Sequence, residues 1–421
     1  MVRTFFRRNI LLVTFLSCCA SPGFAYDTLR LSLNQADSIF LQRNLLLLSQ
    51  LYNVSIQDAL VIQAKAYPNP VIGASVNAID PENDRFFNIG QQGQKEFDIE
   101  QILLLGGKRK STISMARQTK SIAESELADV LRNLKLQLHS SFYQLNKYRL
   151  ILASYDRQLG LLGVIMQAYE QQAAKGNIPV KDVIRLKTVY LRISNNRLEL
   201  VALQWEEIKK LQLLMHMPAY PVPQIDDIIF DEFQRPRELA GLLEIAMSNR
   251  PDLQIAEKQV ALSKTNVQLQ KQLAIPDVLL NAGYDQRGGA FQNQVNVGLA
   301  VPLPLFNRNR GNIKAASYVQ LSSEALFNQK QSEVQAEVES AWHNLGNGIT
   351  EYAKASQLYT KDFDDVFNGV NDNFVKRNIS LLEFVDFFEA YNESLSDFQR
   401  IKAQLALLAE QINYVTASHV Y

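Results

Sequence analysis

Hydrophobic positions in this chain follow two different periods. Over residues 108–159, which hold neither Gly nor Pro, Leu131, Leu138, Leu145, Leu152 and Leu159 recur at every seventh place. Leu127, Leu134, Tyr148, Tyr155 and Leu162 fill the alternate seam. A repeat of about 3.5 residues is the pattern of coiled-coil packing, so a very long helix is predicted here. Running from about residue 107 to 175, it would be ~100 Å long at about 1.5 Å per residue.

The second period is two. Four segments, at about 70–79, 96–105, 277–286 and 293–303, alternate in the strand manner. In the first, Ile72, Ala74, Val76 and Ala78 oppose Gly73, Ser75 and Asn77. The second sets Phe97 and Ile99 against Asp98 and Glu100, and its alternation slips at Gln101-Ile102. Val278, Leu280, Ala282 and Tyr284 oppose Asn281, Gly283 and Asp285 in the third; Val295, Val297, Leu299 and Val301 oppose Gln294, Asn296 and Gly298 in the fourth. A tilted strand needs about 9–11 residues to cross a bilayer's hydrocarbon layer, which is the length of these segments.

Two readings of the strands stand. One is an antiparallel sheet with a dry face on a soluble core. The other is membrane strands, favoured because no separate amphipathic helix is available to cover the apolar faces. Tyr67 and Phe306, with Lys108, Arg109, Arg308 and Arg310, also sit at the strand–helix junctions, where aromatic and basic residues anchor at membrane surfaces. Four strands cannot close a barrel and lipid tolerates no open edge, so membrane strands would require an oligomer.

The chain is written twice. Asn44-Leu45 matches Asp252-Leu253, each opening an apolar-periodic helix, and those helices end at Tyr67-Pro68-Asn69 and Ile275-Pro276-Asp277. The strand pairs close on Leu105-Gly106-Gly107-Lys108-Arg109 and Leu305-Phe306-Asn307-Arg308-Asn309, and the first pair has the longer loop. Lys175-Gly176-Asn177-Ile178-Pro179 matches Lys376-Arg377-Asn378-Ile379-Ser380 further on. The expected organisation is a first repeat over 26–216, a Pro-rich linker over 217–238 and a second repeat over 239–421. Each repeat reads helix, strand hairpin, very long helix, break, second long helix.

Composition narrows the chemistry. The chain has 421 residues, with 43 Lys+Arg balancing 43 Asp+Glu, so no charge argument supports a nucleic-acid partner. Residues 1–25 form an export signal: Arg3, Arg7 and Arg8 precede an apolar run over 10–16, and Gly23-Phe24-Ala25 offers a cleavage site after Ala25. A competing reading takes Leu16-Ser17-Cys18-Cys19 as a lipoprotein box with Cys19 as the lipidated residue, although Cys18 stands where such boxes want a small residue. Both cysteines lie in this segment, so no disulfide is expected in the exported chain. His139, His216, His343 and His419 share no metal-ligand spacing, and Gly288-Gly289 lacks the Lys-Ser/Thr of a phosphate loop and reads as a hairpin tip. No nucleophile–base set stands out, and neither a cofactor nor a catalytic site is expected.

These marks together resemble the TolC-type outer-membrane efflux proteins, nearest the CzcC-like heavy-metal branch. Leu31-Ser32-Leu33-Asn34-Gln35-Ala36 followed by Arg43-Asn44-Leu45 resembles the family's opening helix, and Asn249-Arg250-Pro251-Asp252-Leu253 its second-half opening. Gly106-Gly107-Lys108-Arg109 and the run Pro302-Leu303-Pro304-Leu305-Phe306-Asn307-Arg308-Asn309-Arg310-Gly311 resemble its strand-to-helix turns. The resemblance implies a mainly α protein with membrane β-strands: a trimer whose twelve-stranded outer-membrane barrel continues as a periplasmic α-helical barrel. Its implied partners are a periplasmic adaptor (membrane fusion) protein and an inner-membrane RND-type pump.

The same resemblance points to a gate. Glu383 and Asp386 are three apart on one helical face, at positions matching acidic residues that line the family's periplasmic entrance. Rings of such residues select cations at a constriction. Gly176, Asn177, Ile178, Pro179, Arg377, Asn378, Ile379 and Ser380 would form the adaptor-contacting helix tips. Arg377 stands where the family often has Gly, and Ile379 where some members place a basic residue. The expected function is an exit duct for divalent heavy-metal cations. A drug or peptide duct of the same architecture is the near alternative, and a periplasmic coiled-coil adaptor without a pore the distant one. An enzyme is the third class.

Overall fold

A computed structural model describes residues 28–81, 84–288, 290–359 and 362–421. The expected signal segment and Cys19 lie outside the described residues. In chain order the elements are β1 (Thr28–Leu31), α1 (Leu33–Arg43), α2 (Leu45–Lys65), β2 (Val71–Val76), β3 (Ile79–Asp80), β4 (Arg85–Phe86) and β5 (Gln94–Leu103). There follow α3 (Lys108–Ala174), α4 (Val180–Met215), β6 (Tyr220–Pro223), α5 (Ile228–Phe233), α6 (Leu239–Asn249) and α7 (Pro251–Leu273). The chain ends with β7 (Val278–Arg287), β8 (Phe291–Ala300), α8 (Arg310–Leu358), α9 (Asp362–Val375) and α10 (Leu381–Thr416).

Helix α3 runs unbroken for 67 residues, as the absence of Gly and Pro before Gly160 allows. Its heptad stripe faces inward: Leu134, Leu138, Leu145, Leu152, Tyr155 and Leu162 are all buried. The fold is mainly α with one four-stranded sheet, and the barrel implied by the sequence is open in a single chain.

The chain divides into two compact units. One holds the stretches up to Asn44, Leu138–Ile229 and Lys361–Ala403. Its core joins Ile151, Leu162 and Ile165 of α3, Leu186, Val189 and Ile193 of α4, and the aromatic stack of Phe374 on Phe384, with ring centroids 4.1 Å apart. In the same unit β1 pairs in parallel with β6, so the Pro-rich linker expected at 217–238 contains a strand, and the whole of the short helix α5 falls within those bounds as well. Proline is tolerated in β6 because, among the described residues, β6 pairs with one strand and keeps a free edge.

The second unit holds Leu45–Gln137, Phe230–Thr360 and Gln404–Tyr421. Its antiparallel sheet has the order β2-β5-β7-β8, leaving β2 and β8 as edges. The strands run a residue or more off the alternation pattern at some ends: β2 stops at Val76, short of Ala78, and β8 opens at Phe291 and closes at Ala300, short of Val301. The long loop between β2 and β5 carries its own β3–β4 ribbon, tied down where Gln286 Nε2 donates to the Gly90 carbonyl at 2.9 Å.

Helices α1 and α2 are separated by one non-helical residue, Asn44 (φ −67°, ψ 119°), and α6 and α7 by Arg250 (φ −64°, ψ 118°). The structural counterpart of Asn44 is therefore Arg250, two residues before the Asp252 suggested by the sequence. Burial agrees with that register: Leu47 and Val61 in α2, and Leu253 and Val267 in α7, lie at equal distances from their junctions and are buried.

Candidate functional site

The first candidate is the four-stranded sheet. Its register sorts side chains cleanly, because alternation sends successive residues to opposite faces. The row Ile72–Ile99–Ala282–Val297 and the row Ala74–Phe97–Tyr284–Val295 make one face apolar. Ile72 is 75% exposed and Val297 84% exposed, so none of the described residues covers this part of the face. The opposite face carries Ser75–Glu96–Asp285–Gln294, Gly73–Asp98–Gly283–Asn296 and Val71–Glu100–Asn281–Gly298. These rows contain carboxylates and no Lys or Arg. Glycine makes room for them: a Cβ on Gly73 would sit 2.2 Å from Asp98 Oδ1, and one on Gly298 would sit 2.0 Å from Asn281 Oδ1.

The residues expected at the strand–helix junctions differ in what they do. Tyr67 is exposed and carries the Arg109 guanidinium 4.1 Å from its ring centroid, while Arg109 also donates to the Lys65 carbonyl. Phe306 is fully exposed, and Arg308 and Arg310 are exposed as well. Lys108 is buried. Its Nζ lies 2.7 Å from Asp277 Oδ1, and the same oxygen accepts the Leu105 N–H at 2.9 Å, locking the Gly106-Gly107 turn between strand and helix. Gly106 is held at φ +70°, and a Cβ there would sit 2.7 Å from Ile275 Cδ1, so both the backbone and the space favour glycine.

The second candidate is the pair of helix tips. Helix α3 ends where the Asn177 N–H donates to the Gln172 carbonyl (3.0 Å) and the Gly176 N–H to that of Ala173 (2.9 Å), with Gly176 at φ +76°. At the end of α9 the Asn378 N–H donates to Asn373 (2.8 Å) and the Arg377 N–H to Phe374 (2.9 Å), with Arg377 at φ +62°. Both are Schellman turns, which need a left-handed residue at the position of Gly176 and Arg377. Asn177 and Asn378 each brace the turn with a side-chain amide, donating to Gln172 Oε1 and Asn373 Oδ1. Ile178 and Ile379 are half-buried, and Ile379 packs on the aromatic core. Pro179 starts α4 without a side-chain cap.

Glu383 and Asp386 are both exposed, on the face of α10 away from buried Phe384, Val385 and Phe388. Glu383 has a further task that its expected gate role did not anticipate. Ser380 Oγ accepts the Glu383 N–H at 3.2 Å, and the Ser380 N–H donates to Glu383 Oε2 at 2.8 Å. This is a reciprocal cap, written in the sequence as Ser380-Leu381-Leu382-Glu383. The backbone hydrogen bond from Ser380, with the side-chain one beside it, holds the Glu383 carboxyl below the usual glutamate range.

A third cluster, unnoticed as chemistry in the sequence, surrounds Arg250. Its side chain is 2% exposed. Nε and Nη2 bond Asp252 at 3.0 and 2.6 Å, and Nη1 bonds Glu337 at 2.5 Å. Arg132 reaches Asp252 at 3.5 Å and stacks on the Tyr414 ring at 4.4 Å. Burial alone would lower the arginine's pKa, but the bonds to Asp252 and Glu337 outweigh it and hold the charge. The signal that could have found this cluster is a charged pair flanking a helix-opening proline.

Among the described residues no group of three or more His, Cys, Asp or Glu could hold a metal ion. Three of the four histidines have other uses: His139 bonds Asp37 at 2.9 Å, His216 ends α4 in the left-handed conformation, and His343 lies against the Trp342 ring.

Residues 242–363 match the family described as outer membrane efflux protein. The cobalt-zinc-cadmium resistance protein CzcC of Cupriavidus metallidurans is 26% identical over 259 residues, 61% of this chain and 59% of that protein. The pyoverdine export outer membrane protein OpmQ of Pseudomonas aeruginosa is 26% identical over 178 residues, 39% of this chain and 37% of its own length. The aligned parts thus span less than two thirds of either relative. Among solved structures, CusC superposes with a TM-score of 0.74 at 17% identity, covering 92% of both chains. VceC of Vibrio cholerae superposes at 0.72 and 14% identity, covering 92% of this chain and 97% of that one.

Proposed function

We propose that this chain, which has the fold of the TolC-type outer-membrane efflux channels and lies in the outer membrane with its long helices in the periplasm, is the exit duct of a tripartite efflux system. The observation that carries this is the sheet: among the described residues one face is apolar and uncovered, the other is polar and acidic, and both edges are unpaired. An open edge is costly in lipid, so the sheet closes only with strands of further copies. Three chains would give a twelve-stranded barrel with the apolar face toward lipid and Glu96, Asp98, Glu100 and Asp285 toward water. Tyr67, Phe306, Arg308 and Arg310, with Arg109 held on Tyr67, would anchor it at the membrane surface.

In this reading the chain does no chemistry. A periplasmic adaptor would grip the tips at Gly176, Asn177, Ile178, Pro179, Arg377, Asn378, Ile379 and Ser380, and an RND-type inner-membrane pump would supply energy and most substrate choice. Spreading the tips would widen an entrance ringed by Glu383 and Asp386, and substrate would then diffuse outward. Similarity to CzcC and the acidic sheet face favour divalent metal cations as substrate. Similarity to OpmQ favours a second reading, an organic compound carried through the same architecture.

The first test is location and mass. A trimer recovered from the outer-membrane fraction supports the duct, and a soluble or lipid-anchored monomer rejects it. The gate is tested by Glu383→Gln with Asp386→Asn, since glutamine keeps the reciprocal cap while removing the charge. Reconstituted channels of this variant should lose cation preference or gain resting conductance. Unchanged selectivity and conductance would leave Glu383 as a cap alone.

A further inference from the structure

The loop joining β2 to β5 is built inside out. Among the described residues its buried side chains are polar: Asp80, Asn88 and, reaching in from β7, Gln286 are 6%, 7% and 5% exposed. Asn88 Nδ2 donates to Asp80 Oδ2 at 2.7 Å, and Gln286 Nε2 donates to the carbonyls of Gly90 at 2.9 Å and Gln91 at 3.3 Å. The large apolar side chains are turned outward instead. Ile79, Phe86, Phe87 and Ile89 are between 60% and 76% exposed. A loop standing in water sorts its residues in the opposite sense, because leaving apolar area in water and taking polar groups out of it both cost free energy.

The sheet register shows which side of the barrel wall this loop covers. Val76, Lys95 and Gln286 form one row, two residues beyond the apolar row Ala74–Phe97–Tyr284 and on the same face. The Tyr284 hydroxyl donates to Gln286 Oε1 at 3.4 Å, as neighbours two apart on one face do. Because the Gln286 amide holds Gly90 and Gln91, the loop folds over the apolar face and not over the acidic one. Two glycines let it lie close. A Cβ on Gly288 would sit 1.8 Å from the Gln92 carbonyl oxygen, and one on Gly93 would sit 1.7 Å from that of Asn88.

The loop also lies at the end of the sheet away from the strand–helix junctions, since β2 runs from its junction toward the loop and β5 returns from it. With the long helices in the periplasm, that end is the outer one. The second hairpin is joined by residues 288–290 alone, so the longer loop of the first hairpin supplies something its repeat lacks.

We infer that the β3–β4 ribbon is seated in lipid: Ile79, Phe86, Phe87 and Ile89 enter the headgroup–acyl boundary of the outer leaflet beside the barrel. The inference rests on the outer-membrane reading given above and adds to it a lipid-binding element outside the strands. Continuity carries it, because the ribbon is tied to the same face that exposes Ile72 and Val297 and extends that face at its outer rim. Apolar side chains at the boundary gain from leaving water, while the ribbon's backbone groups stay within reach of headgroups, which the hydrocarbon interior would deny them. Lys95, half-buried on the rim row, lays its stem along apolar surface and turns its ammonium toward headgroup phosphates. The rival occupant is protein, either the ribbon of a second copy or another chain.

The test is spin labelling of the full chain in vesicles of phosphatidylethanolamine and phosphatidylglycerol. Phe86→Cys, Phe87→Cys and Ile89→Cys are each labelled with a nitroxide, and the unsubstituted chain is the blank for Cys18 and Cys19. All three positions are exposed, so the core is left intact. Ile72→Cys on the apolar face is the lipid standard, and Lys175→Cys, exposed beside a helix tip, is the water standard. Relaxation by oxygen, which concentrates among acyl chains, is compared with relaxation by a water-soluble nickel chelate. The loop labels should give an oxygen-to-nickel ratio several-fold above that of Lys175→Cys and nearer that of Ile72→Cys. Ratios equal to that of Lys175→Cys overturn the seating and leave the membrane reading of the sheet standing. Labels reached by neither reagent overturn it in favour of a protein cover. A water-like ratio at Ile72→Cys itself overturns the membrane sheet and the ribbon's seat together.

Discussion

Replacing Arg250 with Ala should cost about 3 kcal/mol of stability. The guanidinium is 2% exposed and makes three charge-assisted bonds, two to Asp252 and one to Glu337. Breaking a buried pair by removing one partner costs about 3–5 kcal/mol, because the other charge is left desolvated. Two features place this site at the lower end. Glu337 is 47% exposed and returns to water, so its share is that of a surface pair, about 0–1 kcal/mol. Asp252, 18% exposed, keeps Arg132 at 3.5 Å and Lys330 at 4.0 Å. Its carboxyl is held below the ordinary range: burial alone would raise it, but the Arg250 bond and the neighbouring cations outweigh that. Stability from Asp252 is therefore present above the carboxyl's unfolded pKa and lost as pH falls through the lower folded value. Guanidinium unfolding followed by far-UV circular dichroism, at fixed protein and detergent concentration, reads the cost. Arg250→Met with Asp252→Asn should cost less than the sum of the two single changes by about 1 kcal/mol or more. A cost for Arg250→Ala under about 1 kcal/mol, or strict additivity in the double variant, would refute the cluster as a buried ionic core.

Phe384→Ala, at a side chain 1% exposed and stacked on Phe374, should cost about 3–5 kcal/mol in the same unfolding measurement. Arg377→Gly should stabilise by about 0.5–1 kcal/mol, because glycine removes left-handed strain at φ +62° at some cost in chain entropy, whereas Gly176→Val should destabilise; matched melting curves decide both. Because the Glu383 carboxyl is lowered, the cap it makes with Ser380 should survive acidification to below the ordinary glutamate value of 4.5 and fail only as pH drops through the folded value; hydrogen exchange at the Ser380 amide across that range reports it, and loss of protection at or above 4.5 contradicts the cap.

Local periodicity determined much of this protein in advance. The Leu131-to-Leu159 heptads are a property of one helix's own face, so the length of α3 and its inward stripe were legible before any partner was known. Strand alternation was legible for the same reason, and so were the matched tip turns at Gly176 and Arg377. The Ser380–Glu383 cap was also written locally, but an acidic residue in a candidate gate drew attention from its backbone bond.

Tertiary structure decided what depends on residues far apart in sequence. Lys108 could not be known as buried until Asp277 was brought to its side. Arg250 could not be known as a core residue until Glu337 and Arg132 converged on Asp252 and itself. The Pro-rich linker became partly a strand only because β1 offered it a ladder. The true register of the repeats, Asn44 with Arg250, came from backbone angles that two dissimilar side chains share. Sequence records which face of an element avoids water, because that is set by its own spacing. Which neighbour covers that face is set by chain closure and packing, and only the folded arrangement of distant segments supplies it.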